Sequence, residues 1–478
     1  MNTILRIAAE EWRYWLRSYL ALGGVLVFLL LVLSSSILTK LRIDAETHVR
    51  THQQSAAEQT FLDQPNRHPH RMVHYGHYIF RAPAPLAIFD PGLDAVTGQA
   101  IFLEGHRQNT PTFSESAASP DLGGLAHLTP ALIYQLFGAL VIILLGHGTI
   151  VREREAGAIT PLLSLGITGN TLLLGKALAL LVFILLLLLP LAITSVFALS
   201  AGETPLAVLV LFGVYLVYLC LWGAIVLGFS AIMRKRGVVL AALTGLWFVM
   251  TLVLPSVAVN ITTTTVTVPG KIETDLAMLT DRRKLGDGHN AGDPAFAKLR
   301  ASLLEKYDAK RVEELPVNFR GLVAMESEQK LTQLLNEYAE ARIDGENRQQ
   351  RLLEKWGWLS PSLAIAFVSR AIAGTDLMHY HHFQRDAENL RFSFVQGLNR
   401  AHAEKLSYQD DINRNKDEAS WQRARVDASN WQVLDAYQFK AASLTERLGN
   451  ASSSIGVLTV WFLAMLCLLI WSGWRIKP

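Results

Sequence analysis

The chain of 478 residues is 51% hydrophobic and only 18% charged, a composition that excludes a purely soluble globular protein. Its formal net charge of +3 is too small to indicate a nucleic-acid partner. We therefore expect a membrane protein that binds no nucleic acid.

Six apolar runs are each long enough to cross a bilayer as an α-helix, which takes about 20 residues. The first run follows a basic segment, as a signal peptide would, but it is too long for a typical signal and lacks a nearby Ala-x-Ala site. We expect all six runs to remain in a mainly α-helical, polytopic fold. The predicted spans are residues 19–38, 130–150, 172–199, 206–232, 238–260 and 455–474.

The distribution of Lys and Arg predicts the orientation, because basic residues near span ends favour the cytoplasmic side. Four short segments are basic: residues 1–18, the loop at 151–171, the turn around Lys235 and the C-terminus. The opposite loop, at residues 200–205, has one acid and no cation. Both termini are therefore expected in the cytoplasm, with two extracytoplasmic insertions at residues 39–129 and 261–454.

Residues 1–18 are predicted to form an amphipathic helix at the cytoplasmic membrane surface. One helical face carries an apolar stripe, and the opposite face is polar. The stripe consists of Ile4, Leu5, Ala8, Trp12, Trp15 and Leu16.

The first insertion changes character along its length. Residues 44–62 are polar and helix-like, whereas residues 74–92 are rich in Pro, Gly and aromatic side chains. The second stretch favours an ordered loop or short strands near the membrane, with residues 102–109 as a pairing partner. The two cysteines of the chain, Cys220 and Cys467, lie in predicted spans, so we expect no disulfide in either insertion.

The second insertion is predicted to be largely helical. Apolar residues recur at helical spacing over residues 317–356, which would form a helix roughly 60 Å long. Residues 376–406 show the same pattern. Between them, residues 362–374 are apolar but too short to cross a membrane. Two interpretations stay open for that segment: a helix on the outer leaflet beside Trp356 and Trp358, or a buried core helix of the exterior domain.

Two motifs imitate ligand sites without meeting their requirements. Gly169 to Lys176 resembles a phosphate-binding loop, but its spacing is too long and it lacks the Ser or Thr that binds Mg²⁺. The segment from Asp411 opens like a calcium loop but has Lys416 where Gly is required. We therefore expect no ATPase activity in this chain, which is not predicted to be an enzyme.

Histidine is concentrated in the insertions, which contain thirteen of the fourteen histidines of the chain. Imidazoles bind Cu²⁺, Zn²⁺ and Ni²⁺, but no spacing here matches a closed tetrahedral site and no cysteine accompanies them. We expect no bound metal. The weak candidates are His74, His77, His106, His379, His381 and His382.

The loop after the second span reads Arg152-Glu-Arg-Glu-Ala-Gly-Ala-Ile-Thr-Pro-Leu-Leu-Ser-Leu-Gly-Ile-Thr, followed by Leu174-Gly-Lys176. It resembles the coupling segment of permease subunits of type 2 (ABC-2) ATP-binding cassette transporters. The resemblance implies a separate cytoplasmic ATPase that binds ATP and Mg²⁺, and no cofactor in this chain. The implied ATPase-coupling residues are Arg152, Glu153, Arg154, Glu155, Gly157, Leu162, Leu163 and Lys176. The segment that begins at Glu153 should meet the ATPase, and its ion pairs are expected to be exposed.

More narrowly, the chain is similar to a bacterial ABC-2 subfamily with large insertions after spans one and five. That resemblance implies a multi-pass protein of the inner membrane, embedded in lipid and paired with a second permease copy or a related paralogue. The expected function is export of a hydrophobic or amphipathic substrate, with a periplasmic adaptor or outer-membrane channel as possible further partners. Two alternatives remain: a membrane-anchored assembly factor that transmits mechanical work, and a metal-delivery module based on the histidines.

Overall fold

The computed structural model describes residues 3–111, 128–432, 437 and 439–476. The structure is 76% helical, and six of its helices are long and apolar enough to cross a membrane. The expected mainly α-helical, polytopic membrane fold is therefore confirmed. Spans 1 to 6 are Leu22–Leu62, Pro130–Glu155, Gly169–Ser200, Pro205–Ile232, Arg236–Thr265 and Leu444–Trp474.

Several spans consist of more than one helix, because proline and π-helical turns interrupt the regular hydrogen bonding. In chain order the helices are α1 (Thr3–Arg17), α2 (Leu20–Leu62), α3 (Pro69–Tyr75), α4 (Pro130–Ile133), α5 (Ala139–Gly146), α6 (Val151–Glu155), α7 (Ile159–Ser164), α8 (Gly169–Leu187), α9 (Leu189–Ser200), α10 (Pro205–Ile232), α11 (Arg236–Phe248), α12 (Leu254–Thr265), α13 (Lys271–Arg282), α14 (Ala297–Lys306), α15 (Phe319–Lys355), α16 (Pro361–Ala373), α17 (Leu377–Lys405), α18 (Tyr408–Asn413), α19 (Glu418–Arg423) and α20 (Leu444–Trp474).

The first and last spans extend beyond their predicted limits. The polar stretch at residues 44–62 is not a separate helix but the continuation of span 1, since α2 has 43 residues. It is therefore about 65 Å long at 1.5 Å per residue, twice what a bilayer core requires. At the other end of the chain, α20 begins at Leu444, where Ser443 and Glu446 form a capping box, well before the predicted start at residue 455.

The first insertion contains a β-hairpin, as its composition predicted. Strand β1 (His77–Phe80) pairs antiparallel with β2 (Ala100–Leu103), and Tyr78 lies opposite Phe102. The inward side chains of the hairpin pack with Phe394 of α17 in one buried cluster. Side chains from both insertions therefore share a single hydrophobic core.

Helices α15 and α17 form an antiparallel pair that organises the second insertion. The amide of Gln396 donates a hydrogen bond to the carbonyl of Met325 at 3.0 Å. Nearer the ends of the pair, the backbone N–H of Asn318 donates to the carbonyl of Ala403 at 2.7 Å. Both predicted long helices of this insertion are present.

Helix α16, for which two interpretations were open, lies buried among the spans. Ser360, at its N-cap, donates a hydrogen bond to the carbonyl of Met250 in span 5 at 2.5 Å. Ser362 and Tyr218 of span 4 share a hydrogen bond of 3.0 Å, and Trp461 of span 6 donates to the carbonyl of Gly357 at 3.1 Å. The interpretation as a helix on the membrane surface is therefore wrong. The alternative was right that α16 is buried but wrong about where, because α16 belongs to the core of the spans and not to that of the exterior domain.

Candidate functional site

Four basic segments meet at one end of the bundle, which we call the basic end: α1, residues 151–168, residues 233–236 and residues 475–476. The guanidinium of Arg154 donates hydrogen bonds to the carbonyls of Ala231 and Met233 at 2.7 and 2.5 Å. The backbone of Gly169 lies so close to Gly473 that an added Cβ would lie 2.4 Å from the Gly473 carbonyl oxygen. The structure thus brings together the four basic segments that the distribution of Lys and Arg assigned to the same side of the membrane.

A buried network of ion pairs joins three elements at the basic end. Lys176 of α8 lies 2.6 Å from Glu11 of α1 and 2.6 Å from Glu153 of α6. Arg152 approaches the same Glu11 oxygen at 2.7 Å. Glu11 is fully buried and Lys176 only 3% exposed, so each charge depends on the others for its stabilisation.

The sequence interpretation missed Glu11, although a signal for it was present. In α1 the buried side chains are Ala8, Glu11 and Trp15, which recur at the spacing of one helical face. An acid in phase with buried apolar residues indicates a buried ionic partner, because such a group is rarely left unpaired. The partner of Glu11 is Lys176, which lies 165 positions away in the sequence. Sequence spacing therefore could not identify it.

The predicted coupling residues divide into an inward and an outward set. Arg152, Glu153, Arg154 and Lys176 contact the protein itself, and Glu155 accepts a hydrogen bond from the backbone N–H of Arg236 at 2.7 Å. Lys176 is buried, Arg152, Glu153 and Arg154 are half-buried, and Glu155 is exposed. The exposure expected of these charges is therefore found fully only at Glu155, and their role in coupling stays a prediction. The outward surface is α7 and the turn after it, where Leu162 and Leu163 are half-buried and Leu165 is 79% exposed.

Gly157 provides the turn between α6 and α7. Its φ of 68° lies in the left-handed region that glycine adopts without strain, and an added Cβ would meet no atom of the described protein within 4 Å. Because α7 leaves α6 at this turn, the backbone conformation of Gly157 sets the direction in which α7 projects.

Polar side chains inside the bundle link α16 to the spans. Tyr215 donates a hydrogen bond to Ser369 at 3.0 Å, and Ser369 donates to the carboxylate of Asp90 at 2.5 Å. The amide of Gln135 donates to Tyr215 at 3.0 Å. These groups satisfy one another, as buried polar atoms in an apolar bundle must.

A second cluster, of four histidines, lies where the two insertions meet. His70 and His74 lie one turn apart on α3, His106 follows β2, and His289 lies in the loop after α13. One ring nitrogen from each lies within 4.8 Å of the other three. Burial and the neighbouring imidazoles lower the pKa of His70 to about 2 and also lower the pKa of His74, so both rings are neutral near pH 7.

The imidazole of His68, next to this cluster, belongs to a separate buried group. His68 and His402 lie 3.1 and 2.9 Å from the two carboxylate oxygens of Asp411, and Arg414 pairs with the same carboxylate. Burial would raise the pKa of Asp411, but the hydrogen bonds from His402 and His68 lower it far below its usual range. Asp411, rejected as a calcium ligand from sequence, is thus a charged anchor that joins α18 to α3 and α17.

Of the six histidine candidates, the structure brings together only His74 and His106. His77 packs against Phe61, with ring centroids 4.8 Å apart. His381 lies 2.6 Å from the carboxylate of Glu346, and His379 and His382 pack against Phe439. His289 was missed because a ligand from a separate loop has no characteristic spacing. His70 could have been found, since it precedes His74 by four residues and so lies on the same face of a helix.

Residues 271–440 match a protein family described as a domain of unknown function, DUF3526. The match covers much of the second insertion, from α13 to beyond α19, and a little over a third of the chain. Among the curated proteins, none matches the chain.

Proposed function

We propose that the chain is the permease subunit of an ATP-driven exporter of the ABC-2 type, acting with a separate cytoplasmic ATPase in a bacterial inner membrane. The observation that most supports this proposal is the position of α7. It faces outward, and α6 connects it to the buried network of ion pairs at the basic end. A short helix between two spans that is followed by an exposed apolar side chain, Leu165, is a suitable docking element for a partner subunit.

The ion network explains how a push on α7 would reach the membrane. Glu153 lies two residues before the end of α6 and contacts Lys176 at the start of span 3, while Glu11 extends the contact to α1. Buried ion pairs resist separation, because a charge left without its partner in an apolar site is strongly destabilised. A displacement of α7 would therefore move α1 and span 3 with it rather than bend the loop alone.

The packing of the spans supports a paired assembly. Spans 2, 3 and 4 are buried over half or more of their apolar length, whereas spans 1, 5 and 6 are mostly exposed. The exposed spans provide surface both for lipid and for a second permease copy. Charged side chains are scarce in the apolar spans, so a route between two copies would suit a hydrophobic or amphipathic cargo better than an ion.

One observation favours an alternative in which the chain transmits mechanical work to extracytoplasmic proteins. Helix α15 is continuous over 37 residues, about 55 Å, and its two ends contact different parts of the molecule. Near its C-terminal end, Gln349 donates a hydrogen bond at 2.7 Å to the carbonyl of Val266, just beyond span 5. Its first turn packs against α17, so motion of span 5 would be carried into the insertions.

Site-specific photo-crosslinking tests the docking proposal. A photo-reactive amino acid placed at Leu165, in membranes of the native host, should crosslink to a protein that mass spectrometry identifies as an ABC ATPase. The matched control is Leu209, which is 65% exposed but lies on span 4. Crosslinking of an ATPase from position 209 only, or from neither position, would refute the assignment.

Reconstitution separates export from mechanical transmission. Proteoliposomes that contain the permease and the crosslinked ATPase should hydrolyse ATP faster when an amphipathic cargo is added, and show no change with simple salts. Stimulation by an extracytoplasmic protein alone, with no movement of cargo, would favour the alternative.

A further inference from the structure

In the histidine cluster, one ring nitrogen of His106 is available to bind a ligand. Its Nε2 is buried and has no hydrogen-bond partner among the described residues, while its Nδ1 lies 2.9 Å from the carboxylate of Glu328. The backbone at His106 has a φ of 65°, a strained conformation for a residue with a side chain. An imidazole with one nitrogen against a carboxylate and the other without a partner is the arrangement of a metal ligand with its outer-shell support.

His289 repeats this arrangement from the second insertion. Its Nδ1 lies 3.2 Å from the carboxylate of Asp287, which leaves Nε2 available. His289, His106 and Asp287 also line one open cavity between the insertions. Two imidazoles from different insertions are therefore held by carboxylates at the same place.

The remaining pair, His70 and His74, has the spacing that tetrahedral coordination requires. Their Nε2 atoms lie 3.2 Å apart. Four nitrogens placed 2.0–2.1 Å from one ion are separated from each other by about 3.3 Å. One ring nitrogen from each of the four histidines lies within 4.8 Å of the others, so the four imidazoles are close enough to share one ion after the side chains adjust.

We propose that His70, His74, His106 and His289 bind one divalent transition-metal ion of the Zn²⁺ and Cu²⁺ class. Four imidazoles without a thiolate suit these borderline ions, whereas Mg²⁺ and Ca²⁺ require oxygen ligands. Three ligands come from the first insertion and one from the second. The bound ion therefore links the two insertions, in contrast to the expectation from sequence that no metal is bound.

Metal analysis of the full-length protein tests the site. The protein is purified in detergent without a polyhistidine tag, loaded separately with Zn²⁺ or Cu²⁺, and dialysed against a weak chelator. The test variant is His74→Ala with His289→Ala; both residues are exposed, so the fold is expected to persist. The control is His382→Ala, whose side chain is 47% exposed and lies outside the cluster.

We expect one ion per chain in the wild type and the control, and at least a tenfold loss of retained ion in the double variant. Asp287→Asn, which removes only an outer carboxylate, should weaken binding roughly tenfold. Zn²⁺ or Cu²⁺ should also raise the Tm of the wild type but not of the double variant, and Mg²⁺ should raise neither. Failure of the wild type to retain an ion, retention by the double variant, or loss in His382→Ala would each overturn the proposal.

Discussion

At the scale of single residues, Lys176 holds the basic end together. Its ammonium group contacts carboxylates from α1 and α6, and Glu11 is fully buried. Replacing one member of a buried ion network lowers the free energy of unfolding by more than the intact pair contributes to it. The reason is that the remaining charge stays in the apolar interior without a partner. The same residue therefore matters for stability and for the proposed transmission of force.

We expect Lys176→Met to lower the free energy of unfolding by about 3 kcal/mol, the lower end for a broken buried pair, because Arg152 still contacts Glu11. Adding Glu11→Gln should recover part of the loss, since it removes the uncompensated charge. Thermal unfolding of the detergent-solubilised protein measures both effects. The control is Lys235→Met, an exposed lysine at the same end, which should change little. A Lys176→Met protein as stable as this control would contradict the prediction.

The burial of Asp376 predicts that the stability of the folded protein depends on pH. Asp376 caps α17 by accepting a hydrogen bond from the backbone N–H of His379, and burial raises its pKa from 3.8 to about 6. The carboxyl group of Asp376 therefore binds its proton more tightly in the folded state than in the unfolded state. The stability that this protonation contributes is fully present below about pH 4 and is lost as the pH rises through about 6. At neutral pH the charged carboxylate costs on the order of 3 kcal/mol.

We expect Asp376→Asn to remove this dependence, because Asn is an equally good N-cap but does not titrate. The Tm of the variant should match that of the wild type near about pH 4 and exceed it increasingly towards about pH 7.5. Comparing the two proteins cancels the contribution of other groups. A difference in Tm that is constant across this range would show that Asp376 does not titrate as proposed.

At the scale of elements, the close crossing of α15 and α17 depends on one glycine. A Cβ at Gly321 would lie 2.3 Å from the backbone nitrogen and 2.6 Å from the Cα of Ala403. Backbone atoms of a packed helix cannot move aside as a flexible side chain can. The absence of a side chain at position 321 therefore allows the helices to approach.

Gly321→Ala should lower the free energy of unfolding by about 1–3 kcal/mol, the usual cost of overpacking. The matched control is Gly397→Ala on α17, where an added Cβ would meet no described atom within 4 Å. That substitution should instead stabilise the helix by about 0.5–1 kcal/mol, since alanine loses less backbone entropy. Thermal unfolding separates the two, and equal effects would argue against the close crossing.

At the scale of the whole molecule, the orientation follows from the grouping of the basic segments at one end. Under the positive-inside rule we expect that end to be cytoplasmic and both insertions to lie outside the cytoplasm. The ion pair of Glu203 with Arg447 lies away from the basic end, where the loop between spans 3 and 4 contacts the start of span 6. The two ends of the bundle therefore differ in charge as well as in structure.

A reporter enzyme that is active only in the periplasm should function when fused after Gln64 or Lys330, and remain inactive when fused after Gly169 or Arg236. Immunoblotting of all four fusions controls for expression. Activity after Gly169 would place α7 on the opposite side of the membrane from the ATPase and would contradict the proposed function.

The sequence alone determined the spans and the two long helices of the second insertion. It also indicated short strands in the first insertion, with a pairing partner at residues 102–109 that overlaps β2 at Phe102 and Leu103. Those features depend on local properties: the length of apolar runs, the helical period of apolar residues, and turn-rich segments next to β-branched and aromatic residues. They can be read within a window of a few tens of residues, and the structure contains all of them.

Only the tertiary structure decided which distant side chains meet. The pairing of Glu11 with Lys176, the burial of α16 between spans, and the meeting of His289 with the histidines of the first insertion all require the packed arrangement of elements far apart in sequence. Periodicity shows which face of a helix is buried but not what that face packs against. For that reason the sequence indicated the loop that we propose for docking and two of the four clustered histidines. The packing placed Lys176 and most of the loop's charges in internal contacts and completed the cluster.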